Sequence, residues 1–196
     1  MNLFAKLFAN MQPPVANRLL GLAACGFFAV HAWVQWHAGR PENLLWACHV
    51  AALCVGLGLL LQFAPLTAAG VLMLCVGIPL WIINLYFGGA FYPTSILTHI
   101  GGFVVGIVGL RTLGWRRHDW LWAVGIVAAL LVASRACTAP ALNVNLAFFA
   151  WRNIFPDPPS DEYHVLLLLG LWAVGLWLSQ FALSRWFCRQ PKLPSC

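Results

Sequence analysis

Long apolar runs, each broken by only a few polar residues, dominate the chain. Six of them have the length of a membrane-spanning helix, which needs roughly 17–25 residues at a rise of about 1.5 Å per residue. They are Leu19–His37, Asn43–Phe63, Pro65–Phe87, Ser95–Leu110, Asp119–Arg135 and His164–Phe187. The pattern predicts an all-α, polytopic integral membrane protein whose six transmembrane helices form one domain over residues 1–196.

Two further segments lie outside these runs. Residues 1–17 carry apolar side chains at helical spacing, so we expect a short amphipathic helix at the membrane surface that ends at Pro13 and Pro14. Residues 137–163 form a long connection between the last two runs. Because long loops over a pocket often act as covers, this connection is a candidate lid.

Composition supports a membrane protein, and charge predicts its orientation. Hydrophobic residues make up 62% of the chain and charged residues 8%, whereas soluble domains are about one quarter charged. With the N-terminus placed in the cytoplasm, the basic residues divide 8 to 3 between inside and outside. The inner set is Lys6, Arg18, Arg111, Arg116, Arg117, Arg185, Arg189 and Lys192, and the outer set is Arg40, Arg135 and Arg152.

This division follows the positive-inside rule and predicts that both termini are cytoplasmic. The net charge of +6 fits anionic lipid headgroups and does not indicate a nucleic-acid partner, since the basic residues lie in short loops beside spans. We therefore expect a multi-pass protein of the cell membrane, in a bacterium the inner membrane, with membrane lipids as its partners. The sequence gives no indication of its oligomeric state.

Polar residues within the predicted spans concentrate near the outer boundary. His31, Cys48, His49, Asn84 and His99 all fall within about 5–9 Å of it, by the rise of an α-helix. Stripes of small residues on the first, third and fourth spans end in these positions, and such stripes mark close helix packing. The sequence thus predicts a polar pocket that opens to the outer side.

The second span has a less regular pattern. Its small residues Ala47, Ala51, Cys54 and Gly58 define one face, with Cys48 about a quarter-turn away and His49 on the opposite side. Either this helix is buried on two faces or one of the two residues lies at the headgroup level. We expect Cys48 to face the pocket rather than His49.

The pocket suggests an intramembrane enzyme. A thiol becomes nucleophilic beside a base, so Cys48 is the expected nucleophile and His99 the general base. Asn84 would orient the histidine or stabilise an oxyanion, and no carboxylate lies in the interior of a span to complete a triad. The expected pocket residues are His31, Gln35, His49, Ser95, Thr98, Arg135, Asn143 and Asn145, with Ser95 or Thr98 as the alternative nucleophile. No cofactor or metal is required, and the substrate would be a lipid or another apolar molecule.

Two short motifs resemble those of a known membrane family. WACHVAALC places a cysteine near the start of the second span, and LTHIGG places a histidine near the start of the fourth. In this layout the chain resembles the androgen-induced-protein and YwaF-like family of six-helix membrane proteins. Its members include intramembrane hydrolases and acyltransferases of lipid esters that use a threonine or cysteine with a histidine. The resemblance implies that Cys48 is the nucleophile and His99 the base.

Two other functions remain open. His31, His49, His99 and His164 lie on four spans at similar depth and could bind a metal or haem, because imidazole suits Zn, Cu and Fe. Against this, the sequence has no paired HxxxH or HExxH spacing, and His49 has the wrong helical phase to converge with the others. A small transporter is the third alternative, but the chain shows no inverted repeat and no polar lining in the inner half.

Overall fold

The computed structural model describes residues 12–149 and 160–188, and within these ranges the chain is helical and has no strand. The six helices longer than ten residues are α1 (Pro13–His37), α2 (Ala47–Leu60), α3 (Ala64–Tyr86), α4 (Thr94–Leu113), α5 (Asp119–Cys137) and α6 (Asp161–Cys188). Short 3₁₀ segments at Pro41–Leu45, Pro140–Leu142 and Val144–Leu146 lie in the connections.

The all-α prediction is confirmed. Five helices, all but α2, are long and apolar enough to cross a membrane. Large apolar side chains cover their outward faces, among them Trp33, Val132 and Leu166, each about two thirds exposed. A water-soluble protein rarely exposes so many, whereas a surface that contacts lipid does. The helices therefore indicate a multi-pass membrane protein, and α2, with 14 residues, is shorter than a usual span.

The start of α1 differs from the prediction for residues 1–17. Pro13 and Pro14 do not end a preceding helix; they occupy the first turn of α1. Proline is well tolerated there because the first N–H groups of a helix have no partner within the helix. Residues 13–17 thus belong to the long helix, and the rest of the expected amphipathic segment, residues 1–11, lies outside the described residues.

Helices α2 and α3 form the centre of the bundle. Helix α2 packs against α1, α3 and α4, and α3 also contacts α5 and α6. Glycine allows these close approaches: a Cβ atom built on Gly70 would lie 2.8 Å from the Val55 side chain, and one built on Gly106 would overlap Val71. The small-residue stripes predicted on α1, α3 and α4 are therefore the packed faces of these helices.

Candidate functional site

A cavity of about 990 Å³ lies at the end of the bundle where α1 ends and α2 begins. This volume is at the upper end of the range for small-molecule sites. Its polar wall comes from α1, from the start of α2 and from the segment before α4, while α3 and α6 supply mainly apolar side chains. The lining includes His31, Gln35, Arg40, Asn43, Cys48, His49, Leu80, Trp81, Asn84, Tyr92, Ser95, Asn145, His164, Leu167, Leu168 and Leu171.

Three buried histidines from three helices meet beside this cavity. The ring centroids of His31 and His49 are 4.2 Å apart, and those of His49 and His99 are 5.7 Å apart. Trp81 stacks on His99 with a centroid distance of 4.4 Å and an interplanar angle of 21°. His49 and Trp81 line the cavity, and His99, fully buried, lies against both of them.

Hydrogen bonds define which nitrogen of each buried ring carries the proton. The Nδ1–H of His99 donates to the Ser95 carbonyl at 2.7 Å, one turn earlier on α4. The Nδ1–H of His49 donates to the Asn43 carbonyl, also at 2.7 Å. In both rings Nε2 is left with its lone pair. The Nε2 of His99 is buried and has no hydrogen-bond partner among the described residues, which is costly for a buried polar atom.

His31 has the same tautomer. The Gln35 side-chain oxygen accepts from Asn43, so its amide nitrogen faces the Nε2 of His31 at 3.3 Å and donates to it. The Nδ1–H of His31 then donates to the Thr94 hydroxyl at 2.8 Å. Because Nε2 of His31 already accepts a hydrogen bond, this ring is less available to a ligand than those of His49 and His99.

Cys48 lies in the first turn of α2 beside these rings. Its sulfur and one ring nitrogen each from His49 and His99 are all within 4.8 Å of one another. Gly77 of α3 leaves room for the thiol, because a Cβ atom built there would lie 3.1 Å from the Cys48 Cβ.

Two asparagines hold the start of α2. The Asn43 side-chain amide donates to Gln35 and so joins this segment to α1. Its side-chain oxygen accepts from the Trp46 indole at 3.2 Å, and its backbone carbonyl accepts from His49. Asn145 accepts from the Ala47 amide at 2.7 Å and donates to the Leu45 carbonyl at 2.7 Å and the Ser134 hydroxyl at 3.0 Å. The backbone that carries Cys48 and His49 is thereby fixed from both sides.

The structure brings most of the predicted pocket residues together. His31, Gln35, Cys48, His49, Asn84, Ser95 and Asn145 line the cavity, and His99 and Thr98 are buried behind it. Two of the expected residues lie elsewhere. Arg135 does not line the cavity: it pairs with Asp161 at 3.1 Å and donates to the Ala147 carbonyl. Nor does Asn143, whose side-chain oxygen accepts from the backbone amides of Phe148 and Phe149.

The prediction that His49 faces away from the other histidines is also wrong, as its contacts with His31 and His99 show. The helical phase argument took the small-residue face of α2 as its one buried face, whereas His49 on the opposite side is buried too. Helix α2 is also enclosed by three neighbours and is buried on more than one face. Of the two interpretations the sequence left open, burial on two faces is therefore correct.

One role expected of Asn84 is not supported. His99 is held by the Ser95 carbonyl on one nitrogen, and no described residue bonds the other, so Asn84 does not orient it. From α3, the residue in contact with His99 is Trp81, one turn earlier. Asn84 lies further along the same cavity wall, where its side chain is half-buried.

Several residues of the site were not predicted from the sequence as part of the pocket. Asn43 was predicted only as the first residue of a span, and Thr94 and Trp81 were not among the expected pocket residues. His164 was named only as a candidate metal or haem ligand; it lines the cavity, and its Nε2–H donates to the Leu146 carbonyl at 2.8 Å. A polar residue next to a predicted span end, as Asn43 and Thr94 are, is the only sequence signal that could have identified them.

Comparison of the chain with family models, curated proteins and solved structures finds no match. Fold and site together define the class only as an all-helical protein with several helices able to cross a membrane and a cluster of histidine and cysteine beside one cavity. Any statement of function therefore depends on the chemistry of that cluster.

Proposed function

We propose that the protein is an intramembrane hydrolase or acyltransferase that acts on a lipid ester or a similar apolar substrate, with Cys48 as the nucleophile and His99 as the general base. The observation that carries the proposal is the position of the Cys48 sulfur, which lies within 4.8 Å of histidine nitrogens at the wall of a large, mainly apolar cavity. A thiol beside an oriented imidazole is the arrangement that nucleophilic catalysis requires.

The proposed reaction begins with proton transfer from the Cys48 thiol to Nε2 of His99. The sulfur attacks the ester carbonyl, and the tetrahedral intermediate collapses to a thioester while His99 returns the proton to the departing alcohol. Water then releases the acid, or a second alcohol takes the acyl group, with the same histidine as base. Acylation and deacylation each return His99 to its neutral form, and its hydrogen bond to the Ser95 carbonyl keeps the correct tautomer.

Cys48 is favoured over the alternative nucleophiles by hydrogen bonding. The Ser95 hydroxyl donates to the Tyr92 carbonyl, and the Thr98 hydroxyl donates to the Ser95 carbonyl at 3.0 Å. Neither proton is directed at a base. The side-chain amide of Asn84 in the cavity wall is the candidate donor to an oxyanion.

The cavity wall supports a lipid as the substrate. Its lining includes Leu80, Leu167, Leu168 and Leu171, against which an acyl chain would pack. It also includes Arg40 and Asn145, with which polar ester and headgroup atoms would pair. Such a division between an apolar body and a few polar groups is typical of small-molecule sites.

We propose six crossings with both termini in the cytoplasm and the cavity on the outer side of the cell membrane, in a bacterium the inner membrane. Helix α2 alone is about 21 Å long, but the 3₁₀ segment Pro41–Leu45 adds about 10 Å, which together approach the roughly 30 Å hydrocarbon thickness. The 8 to 3 division of basic residues supports the orientation.

Active-site labelling tests the proposed chemistry. Purified protein in detergent should react with a lipid-like fluorophosphonate or an acyl-thiol probe at Cys48, and Cys48→Ala should end both labelling and ester turnover. His99→Ala should lower turnover by about 10²–10⁴-fold, the usual contribution of a general base. Cys54→Ala and Cys75→Ala are the matched controls, because these cysteines lie elsewhere on α2 and α3.

Thermal melting of each variant separates a chemical effect from misfolding. A Cys48→Ala protein that melts like wild type yet keeps full labelling would overturn the assignment of Cys48. Normal turnover of a stable His99→Ala protein would equally exclude His99 as the base.

A further inference from the structure

We propose that Cys48, His49 and His99 also form a binding site for a thiophilic d¹⁰ metal ion of the Cu⁺ or Zn²⁺ type. These are the residues whose ligand atoms, one sulfur and two ring nitrogens, all lie within 4.8 Å of one another. The proposal goes beyond the enzymatic function and does not depend on it, since metal binding needs only the ligand atoms.

The separation of the ligand atoms is close to that of a metal centre. With a metal–sulfur bond of about 2.3 Å and metal–nitrogen bonds of about 2.0–2.1 Å, ligand atoms around a trigonal ion are roughly 3.8 Å apart. Closure from 4.8 Å therefore requires side-chain movements of about 1 Å. Gly77 gives Cys48 this freedom, because the space its missing side chain would fill lies against the cysteine.

The hydrogen bonds of both histidines are those of metal ligands. A metal-bound imidazole commonly donates its other N–H to a carbonyl or carboxylate, which fixes the tautomer and the ring orientation. His49 and His99 both donate from Nδ1 to backbone carbonyls, those of Asn43 and Ser95. The remaining lone pair of His99, on Nε2, is buried without a partner among the described residues, and a metal ion would satisfy it.

Charge favours a monovalent ion over a divalent one. None of the cavity-lining residues of the described chain is an aspartate or glutamate, and Arg40 is positive. One thiolate and two neutral imidazoles bring Cu⁺ to a net charge of zero but leave Zn²⁺ at +1, and an uncompensated charge is costly in apolar surroundings. Soft thiolate ligands also select Cu⁺ and Zn²⁺ among biological metals. We therefore expect Cu⁺ to bind more tightly.

Metal binding and the thiol reaction would exclude each other. Binding releases the Cys48 proton to solvent and engages the sulfur and both imidazole lone pairs, so the metal-loaded protein has neither the free nucleophile nor the base. The coordination position not filled by these three side chains would be open to a further ligand such as water.

Direct metal binding to the purified full-length protein tests the proposal. The protein, stripped with a chelator, is titrated with Zn²⁺ by calorimetry and with Cu⁺ by competition against a chromophoric chelator. We expect one ion per chain. Cys48→Ser, His49→Gln and His99→Gln should each weaken binding by at least about 10–100-fold. Loss of a residue that only hydrogen-bonds a metal ligand already has an effect of this size, and loss of the ligand itself should have a larger one. Cys54→Ser and His37→Gln, which lie outside the cluster, should bind like wild type.

A second readout needs no variant at the site. Bound metal should slow alkylation of Cys48 at least about tenfold, measured by peptide mass spectrometry, while Cys137, which is exposed, reacts at an unchanged rate. Failure of wild type to bind either ion, or equal binding by Cys48→Ser, would overturn the site. Thiol-probe labelling of the metal-free protein reports separately on the proposed enzyme, so each proposal can fail alone.

Discussion

At the scale of single residues, the site depends on rings whose orientation is fixed by the backbone. His99 lies within a turn of π-helix, Leu97–Gly101, inside α4, and such turns frequently occur at functional sites. The extra residue of this turn alters the helical phase at the point where the ring meets Trp81 and His49. The histidine is placed by this local distortion together with one hydrogen bond to Ser95.

Gly77 provides the sharpest residue-scale prediction. In Gly77→Ala the new methyl group would lie 3.1 Å from the Cys48 Cβ, so the cysteine must move by a few tenths of an ångström. Because small misplacements of reacting groups are costly, we expect turnover or Cys48 labelling to fall about tenfold, with only a small change in melting temperature. The labelling rate of the purified variant measures this effect.

Gly170→Ala is the matched control, since a Cβ atom built on Gly170 meets no heavy atom within 4 Å. It should leave both labelling and melting unchanged. If Gly77→Ala reacted at the wild-type rate, the space opposite Cys48 would have no functional role.

Sequence reasoning found the depth of the site better than its geometry. The polar positions His31, Cys48 and His99 were predicted to share one end of the bundle, because depth follows from counting residues along a span. His49 was misplaced because α2 is buried on more than one face, and helical phase alone does not show how many neighbours enclose a helix. The π-turn around His99 was not predicted because such a turn has no reliable sequence signal.

At the scale of elements, the start of α2 is held by a segment about 100 residues away in sequence. Asn145 belongs to the short 3₁₀ turn Val144–Leu146 and has a positive φ of 59°, a conformation that asparagine tolerates better than most residues. Its side chain replaces the missing backbone partner at the helix start by accepting from Ala47. The connection between α5 and α6 thus positions α2, in addition to any role as a lid.

Asn145→Ala should destabilise the protein by about 2–4 kcal/mol, because it leaves buried groups at Ala47, Leu45 and Ser134 without partners. Titration with a denaturing detergent in mixed micelles measures the loss. Metal affinity and Cys48 labelling should fall with it, since the first turn of α2 is released. Leu142→Ala, an exposed position in the same connection, serves as the control. A change below about 0.5 kcal/mol for Asn145→Ala would contradict this anchoring role.

Helix bounds were predicted well for the long elements and less well at their ends. The predicted spans at α3, α5 and α6 differ from the observed helices by three residues or fewer at each end. The second span was predicted to begin at Asn43, but the chain forms a 3₁₀ segment and then starts α2 at Ala47. Apolar composition predicts that a segment lies in the membrane, whereas its exact helical type depends on tertiary hydrogen bonds such as those of Asn43 and Asn145.

At the scale of the whole molecule, the cavity and its histidine and cysteine side chains lie at one end of the bundle. The other end contains a smaller polar group, in which Asn17 links Gln62 and Thr112 of neighbouring segments by side-chain hydrogen bonds. These atoms satisfy one another and form no part of the cavity lining. A cavity with polar groups at one end of a membrane bundle would be accessible from one side only, so orientation determines which compartment supplies water or a metal ion.

The native Cys137 provides a test of that orientation. It is exposed at the end of α5, on the side of the cavity, and its neighbours in the bundle are the segments we assign to the outer face. In a variant with Cys48→Ser, Cys188→Ser and Cys196→Ser, a membrane-impermeant maleimide should label intact cells through Cys137. Adding Cys137→Ser should abolish this labelling, because the other cysteines lie within the predicted spans.

The opposite face is tested by Arg117→Cys in the variant that also lacks Cys137. Arg117 is exposed in the connection between α4 and α5, beside Arg116, and the division of basic residues assigns this connection to the cytoplasm. This cysteine should react only after the membrane is permeabilised. The reverse result, with Arg117→Cys labelled in intact cells and Cys137 protected, would invert the topology, place the cavity on the cytoplasmic side, and make the reducing cytosol the source of any metal bound by Cys48.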